Sequence, residues 1–204
     1  MLHDLNRMRS TCVLASILLG LTGLSPAAAQ TRPVPDTFEA VTADMTPTGT
    51  TIKIDIVHWS DESERAAAIA ALGAEPDVAS KLRELPTAGY VWLEGSGVGY
   101  AVKYAHRQSD DGAETVTIVT DRVLGAYSYK PWSAAAAGDP LDYSVIALQL
   151  DSAGHGRGTL SLVADVEIDA QSQTIHLEPR ATVLTDAVRQ PKPYWARDAA
   201  ANGG

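Results

Sequence analysis

The chain has 204 residues, of which 20% are charged, and a formal net charge of -9. That acidic balance excludes a nucleic-acid footprint, which needs clustered Lys and Arg, and argues against electrostatic docking on anionic lipid. A single cysteine, Cys12, rules out an intramolecular disulfide, so the fold must be held by its core alone.

The N-terminus carries Arg7 and Arg9 against Asp4, then an apolar run from Thr11 to Leu24, then Ser25-Pro26 and the small residues Ala27-Ala28-Ala29. A basic end, a short apolar core and small residues at the cut are the three parts of a cleavable export signal. The run is too short for a membrane anchor, which needs about 20 apolar residues. The expected organisation is a signal over residues 1–29, an extended spacer over 30–36, one β-rich domain over 37–197 and a disordered tail over 198–204. Cleavage removes Cys12 and leaves the mature chain one unit more acidic and without a thiol. No later segment is long and apolar enough to span a membrane.

Thr31 to Pro35 reads as extended, because its prolines block helix and ladder bonding. Thr37 to Met45 reads as a strand, Thr46-Pro47-Thr48-Gly49 as a tight turn, and Thr50 to His58 as its hairpin partner. In that second strand Ile52, Ile54 and Ile56 alternate with Thr51, Lys53 and Asp55, the period of a half-buried strand. The pattern then becomes helical. Ser60 or Asp61 is suited to cap a helix whose first turn holds Glu62 and Glu64, whose buried side holds Ile69 and Leu72, and which Gly73 ends. A second short helix spans about Pro76 to Leu85 and is stopped by Pro86.

Strands return over Gly89 to Glu94, Val98 to Arg107 and Glu114 to Asp121, separated by Gly-containing turns. From Val98 to Ala105 one face carries Val98, Tyr100, Val102 and Tyr104. The other carries Gly97, Gly99, Ala101 and Ala105, interrupted by Lys103. A face of glycine and alanine admits close approach, so the helical pair is expected on or beside it. Tyr127 to Asp142 reads as a long loop, Tyr143 to Asp151 as a strand, and Ser152 to Gly158 as a flexible turn. Thr159 to Asp169 reads as one alternating strand, followed by another over Thr174 to Glu178, while the end from Gln190 is extended. The fold expected is α+β: a mainly antiparallel sheet of about eight strands, closed as a barrel or stacked as a sandwich, with the helical pair inserted after the second.

No segment carries a reaction-specific motif. Glu94-Gly95-Ser96-Gly97-Val98-Gly99 lacks the Gly-Lys-Ser/Thr of a phosphate loop and the Gly-x-Ser-x-Gly of a hydrolase elbow, so it reads as a turn. His58, His106, His155 and His176 stand at no metal-ligand spacing, and Asp110-Asp111-Gly112 with Glu114 lacks the alternation of a calcium loop. No metal, cofactor or catalytic residue is therefore assigned. Tryptophan and tyrosine combine a flat apolar face with a polar tip suited to ligands. Trp92, Tyr100, Tyr104 and Trp132 are the candidate lining of an aromatic binding face. Asp121 and Arg122, at a strand end, are the most site-like charged pair, and His106 joins them as a candidate ligand-binding residue.

Tyr90-Val91-Trp92, Gly95-Ser96-Gly97-Val98-Gly99-Tyr100-Ala101, Lys103-Tyr104-Ala105-His106-Arg107 and Val119-Thr120-Asp121-Arg122 resemble segments of a group of small exported bacterial proteins. The resemblance covers most of the mature chain, to Pro193-Tyr194-Trp195. It implies a bacterial exported domain and carries over no catalytic residue. The expected function is a non-catalytic periplasmic or secreted binding module. The alternatives are a hydrolase-like enzyme with Asp121, Arg122 and His106 in one cleft, and a structural or accessory envelope protein. The partner expected is a small molecule or an envelope protein, not nucleic acid.

Overall fold

The computed structural model describes residues 35–44, 48–127, 140–163, 166–177 and 182–191. The proposed signal, Trp132, Trp195 and the C-terminal tail lie outside them. The elements in chain order are β1 (Asp36–Thr42), β2 (Thr51–Ile56), α1 (Glu62–Leu72), α2 (Val78–Glu84), β3 (Gly89–Leu93), β4 (Gly99–Asp110), β5 (Ala113–Thr120), β6 (Pro140–Leu150), β7 (His155–Val163), β8 (Val166–Asp169), β9 (Thr174–Leu177) and β10 (Thr182–Gln190). Eight strands form a closed antiparallel barrel in the order β1-β10-β7-β6-β5-β4-β3-β2, and β8 and β9 pair as a separate hairpin. The barrel alternative is the one adopted.

Alternation decides what fills the barrel. Ile52, Ile54 and Ile56 of β2 point inward and meet Phe38, Val91, Tyr100, Val102, Ala105, Val116, Ile118, Ile146, Leu148 and Leu160. An eight-stranded barrel is only wide enough for such side chains to fill it. The far end is plugged by Leu124, and there the Tyr100 hydroxyl accepts bonds from the Gly125 and Tyr127 amides (3.1 and 3.2 Å).

A second core lies outside the wall. Ala68, Ile69 and Leu72 of α1, with Val78 and Leu82 of α2, pack on Tyr104, Val119, Tyr143, Val145 and Ile175. The helical pair therefore rests on tyrosine and valine, not on the expected glycine–alanine face. The reason is a bulge in β4: Val102 pairs with Thr120 and Tyr104 with Val119, so one extra residue sits between them. A bulge shifts the alternation by one. Tyr100 and Val102 stay inside, Tyr104 turns outward under the helices, and Ala105 points inward. The expected partner space at Gly99 is taken by the Trp92 indole, since a Cβ there would lie 2.9 Å from its Nε1.

Local chemistry fixes the helical layer. Asp61, not Ser60, caps α1: its carboxylate accepts from the Glu64 amide (2.9 Å) while the Glu64 carboxylate accepts from the Asp61 amide (3.0 Å). Ser60 instead offers its hydroxyl oxygen to the Ala105 amide (3.1 Å) and so ties the helix entry to the wall. Lys103, buried beside the bulge, donates to the Leu85 carbonyl (2.9 Å), the Thr87 hydroxyl (3.2 Å) and the Arg83 carbonyl (3.4 Å). A cation at the C-terminal end of α2 satisfies carbonyls that have no helical partner.

Two strand assignments change. The stretch expected as one strand over Thr159 to Asp169 divides into β7 and β8, because Leu160 and Leu162 serve the barrel interior while Val166 and Ile168 pack on the outer core. The stretch read as a flexible turn from Ser152 also ends early, with β7 starting at His155. The closing strand β10 had no sequence signal. Its pairing slips between Leu184 and Ala187, and Asp186 takes a positive φ of 51°, so the inward residues fall out of step. Lys103→Met is expected to lower stability by about 1–3 kcal/mol, because buried carbonyls lose their donor. Urea denaturation measures this, and an unchanged midpoint would contradict it.

Candidate functional site

The inner register of four strands ends in charge at the end of the barrel opposite Leu124. Arg107 pairs with the inward Val116, Glu114 with the inward Leu150, Arg189 with the inward Phe38, and Asp36 with the inward Ile56. Cross-strand partners share a face, so all four charged residues stand over the barrel mouth. Arg189 pairs with Glu114. In the barrel order β7 and β6 separate their strands, so the pair bridges the mouth rather than two adjacent strands. The Arg189 guanidinium also lies 5.3 Å over the Phe38 ring.

Trp59, between β2 and α1, closes the other side. Its ring meets Phe38 edge-on at 6.4 Å, its Nε1 donates to Asp36 Oδ2 (2.8 Å), and Arg107 lies 4.9 Å over its face. Arg107 and Arg189 reach from these rings into a cleft of about 490 Å³, which they line with Ser109, Glu114, Ser152 and Gly154, among others; the rings themselves do not line it. The rim turn is rigid: Asp151 accepts from the His155 and Ala153 amides (2.9 Å each), and Gly154 takes φ 80°. Those bonds, from His155 first, hold the Asp151 carboxyl below its ordinary value.

The residues singled out from the sequence are dispersed. Tyr100 is inside the barrel and Tyr104 outside it, each almost fully buried, so the wall separates them. Burial raises the hydroxyl pKa of both, Tyr104 to about 12. Trp92 sits half-buried on the outer wall of β3, 5.5 Å from Tyr90. Asp121 and Arg122 do meet: Arg122 Nε donates to Asp121 Oδ2 (3.2 Å), and the guanidinium lies 5.5 Å over Tyr127. Among the described residues, Asp121 Oδ1 is buried without a hydrogen-bond partner. His106 does not join them. It pairs with Thr117, four residues before Asp121, a separation of about 13 Å along a strand. The mouth residues Arg107, Glu114, Arg189 and Trp59 were not assigned from the sequence as a site. The available signal was Glu114 continuing the apolar register of Val116 and Ile118.

His106 faces a smaller hollow of about 60 Å³, shared with Tyr104, Gln108, Thr115, Thr117, Thr174, Ile175 and His176. Burial first, and Arg65 of α1 second, hold its pKa below the ordinary 6.5. The unfolded chain thus binds the His106 proton more readily than the folded one, so stability falls as pH drops through the unfolded value. The melting temperature is expected to decline from pH 7.5 to 5.5, and His106→Gln to flatten that slope. An identical slope in the variant would refute the assignment.

Against protein families, curated proteins and solved structures, the chain has no match, and its site is therefore defined by geometry alone.

Proposed function

We propose that this chain is an exported, non-catalytic binding module of the periplasm or the cell exterior, and that the cleft over the barrel mouth seats its ligand. The N-terminal layout of Arg7, Arg9, the Thr11–Leu24 run and Ala27-Ala28-Ala29 supports export. The observation that carries the binding reading is the mouth itself: a concave space on a rigid closed sheet, with guanidinium groups fixed over aromatic rings. Small-molecule sites are concave and use precisely placed polar groups to fix orientation, and here Arg107, Ser109, Glu114, Ser152 and Arg189 offer such groups along the cleft. The charged groups of the floor pair acid with guanidinium, Arg189 with Glu114 and Arg107 with Asp36, an arrangement that orients rather than transfers protons. The hydrolase alternative needs His106 beside Asp121, and they stand apart.

Two outcomes are expected. Protein recovered from a bacterial envelope fraction begins at Gln30, as intact mass spectrometry reads; a retained N-terminal segment would remove the export reading. In an amide-detected NMR screen of the processed chain with small polar fragments, perturbations concentrate at Ser109, Gly112, Ser152 and Gly154. Perturbations confined to the outer wall would move the site elsewhere.

A further inference from the structure

We infer that the ligand of the mouth cleft carries a carboxylate and that Arg107 is the residue that reads it; this rests on the mouth being the binding site. The two arginines of the floor are not equivalent. Arg189 is held by Glu114 through its terminal nitrogen across the barrel, and its Nε, buried and without a hydrogen-bond partner among the described residues, is closed off from solvent. Arg107 has an ion-pair partner in Asp36 but keeps its hydrogen-bond donors unspent. Its guanidinium is shelved 4.9 Å over Trp59, and its closest acidic atom is Asp36 Oδ2 at 3.7 Å, beyond hydrogen-bond reach. That oxygen already accepts from Trp59 Nε1 at 2.8 Å. Among the described residues no acceptor is hydrogen-bonded to the Arg107 fork.

The shelf itself is held in place. Trp59 is pinned by Asp36 at its polar end and by Phe38 at its edge, so the surface on which the guanidinium rests is set before any ligand arrives. A planar fork of N–H donors matches a carboxylate through two parallel bonds. Pre-setting the fork reduces the ordering cost of binding. The Arg107 side chain is 49% exposed, which leaves its donors open to the cleft.

The neighbours favour a single negative charge. Glu114 and Asp151 also line the cleft, and Asp151 is kept ionised by its turn. A doubly charged phosphate would face both carboxylates at short range, while a carboxylate places one charge on Arg107 and repels them less. Ser109 and Ser152 remain along the same cleft to hydrogen-bond the uncharged part of the ligand. At about 490 Å³ the space suits a small organic acid rather than a polymer.

The test uses the processed chain and matched pairs of singly charged and neutral probes: phenylacetate against phenylacetamide, butyrate against butyramide, and lactate against lactamide, with inorganic phosphate at equal ionic strength. Amide-detected NMR titrations at pH 7 are expected to show at least one acid perturbing the mouth amides with tenfold or greater preference over its amide and over phosphate. Arg107→Ala should weaken that acid at least tenfold, Arg107→Lys less so, and the exposed Arg83→Ala not at all. If Arg107→Ala loses its native spectrum, Arg107→Gln serves in its place. Equal binding of acids and amides at the mouth, tighter binding of phosphate, or unchanged affinity in the Arg107 variants would overturn the carboxylate inference and leave the mouth as the site. A mouth silent to charged and neutral probes alike would overturn both.

Discussion

Hydrogen bonding between Asp36–Thr42 and Thr182–Gln190 joins the first barrel strand to the last, and every other feature depends on it. Without that seam the sheet is open, and β1 and β10 are free edges. With it, eight strands enclose a space that their own inward side chains fill, from Phe38 to Leu184. Closure also brings Arg189 of β10 over the mouth, where Glu114 meets it from β5, three places along the barrel order. The site is thus a by-product of closure: the polar ends of inner registers gather only once the wall is complete.

The bulge in β4 divides the molecule in two. Before it, Tyr100 and Val102 face the barrel; after it, Lys103 caps α2 and Tyr104 supports α1. A single extra residue therefore lets one strand serve an interior core and an exterior one. It also returns Ala105, Arg107 and Ser109 to the inner register, which is how Arg107 comes to stand over the mouth. The helical layer and the candidate site share this one local irregularity.

Much of the architecture was legible in the residues. Ile52, Ile54 and Ile56 showed the inner face of β2, and Asp61 with Glu64 and Gly73 marked both ends of α1, because periodicity and capping are local. What was not legible was non-local or irregular. Leu184 and Ala187 are out of step in β10, and no two-residue count recovers a strand with a slip in its middle. The β4 bulge placed Tyr100 and Tyr104 on opposite sides, although strict alternation puts them together. The mouth was hidden for a third reason. Arg107 and Glu114 look like ordinary strand-end charges until the register shows that they point inward, and only tertiary closure brings Arg189 to them.

The order of the barrel has a temporal consequence. The strand that seals the wall follows every other barrel strand in chain order, and it must pair with the first. Contacts of such wide sequence separation form slowly, since a long loop must close before they repay its entropy. A nascent chain that has delivered only β1 to β9 holds exposed apolar faces and two unsealed margins. It is not yet a committed fold. The final link of the wall forms only when a segment from one end of the fold meets a segment from the other.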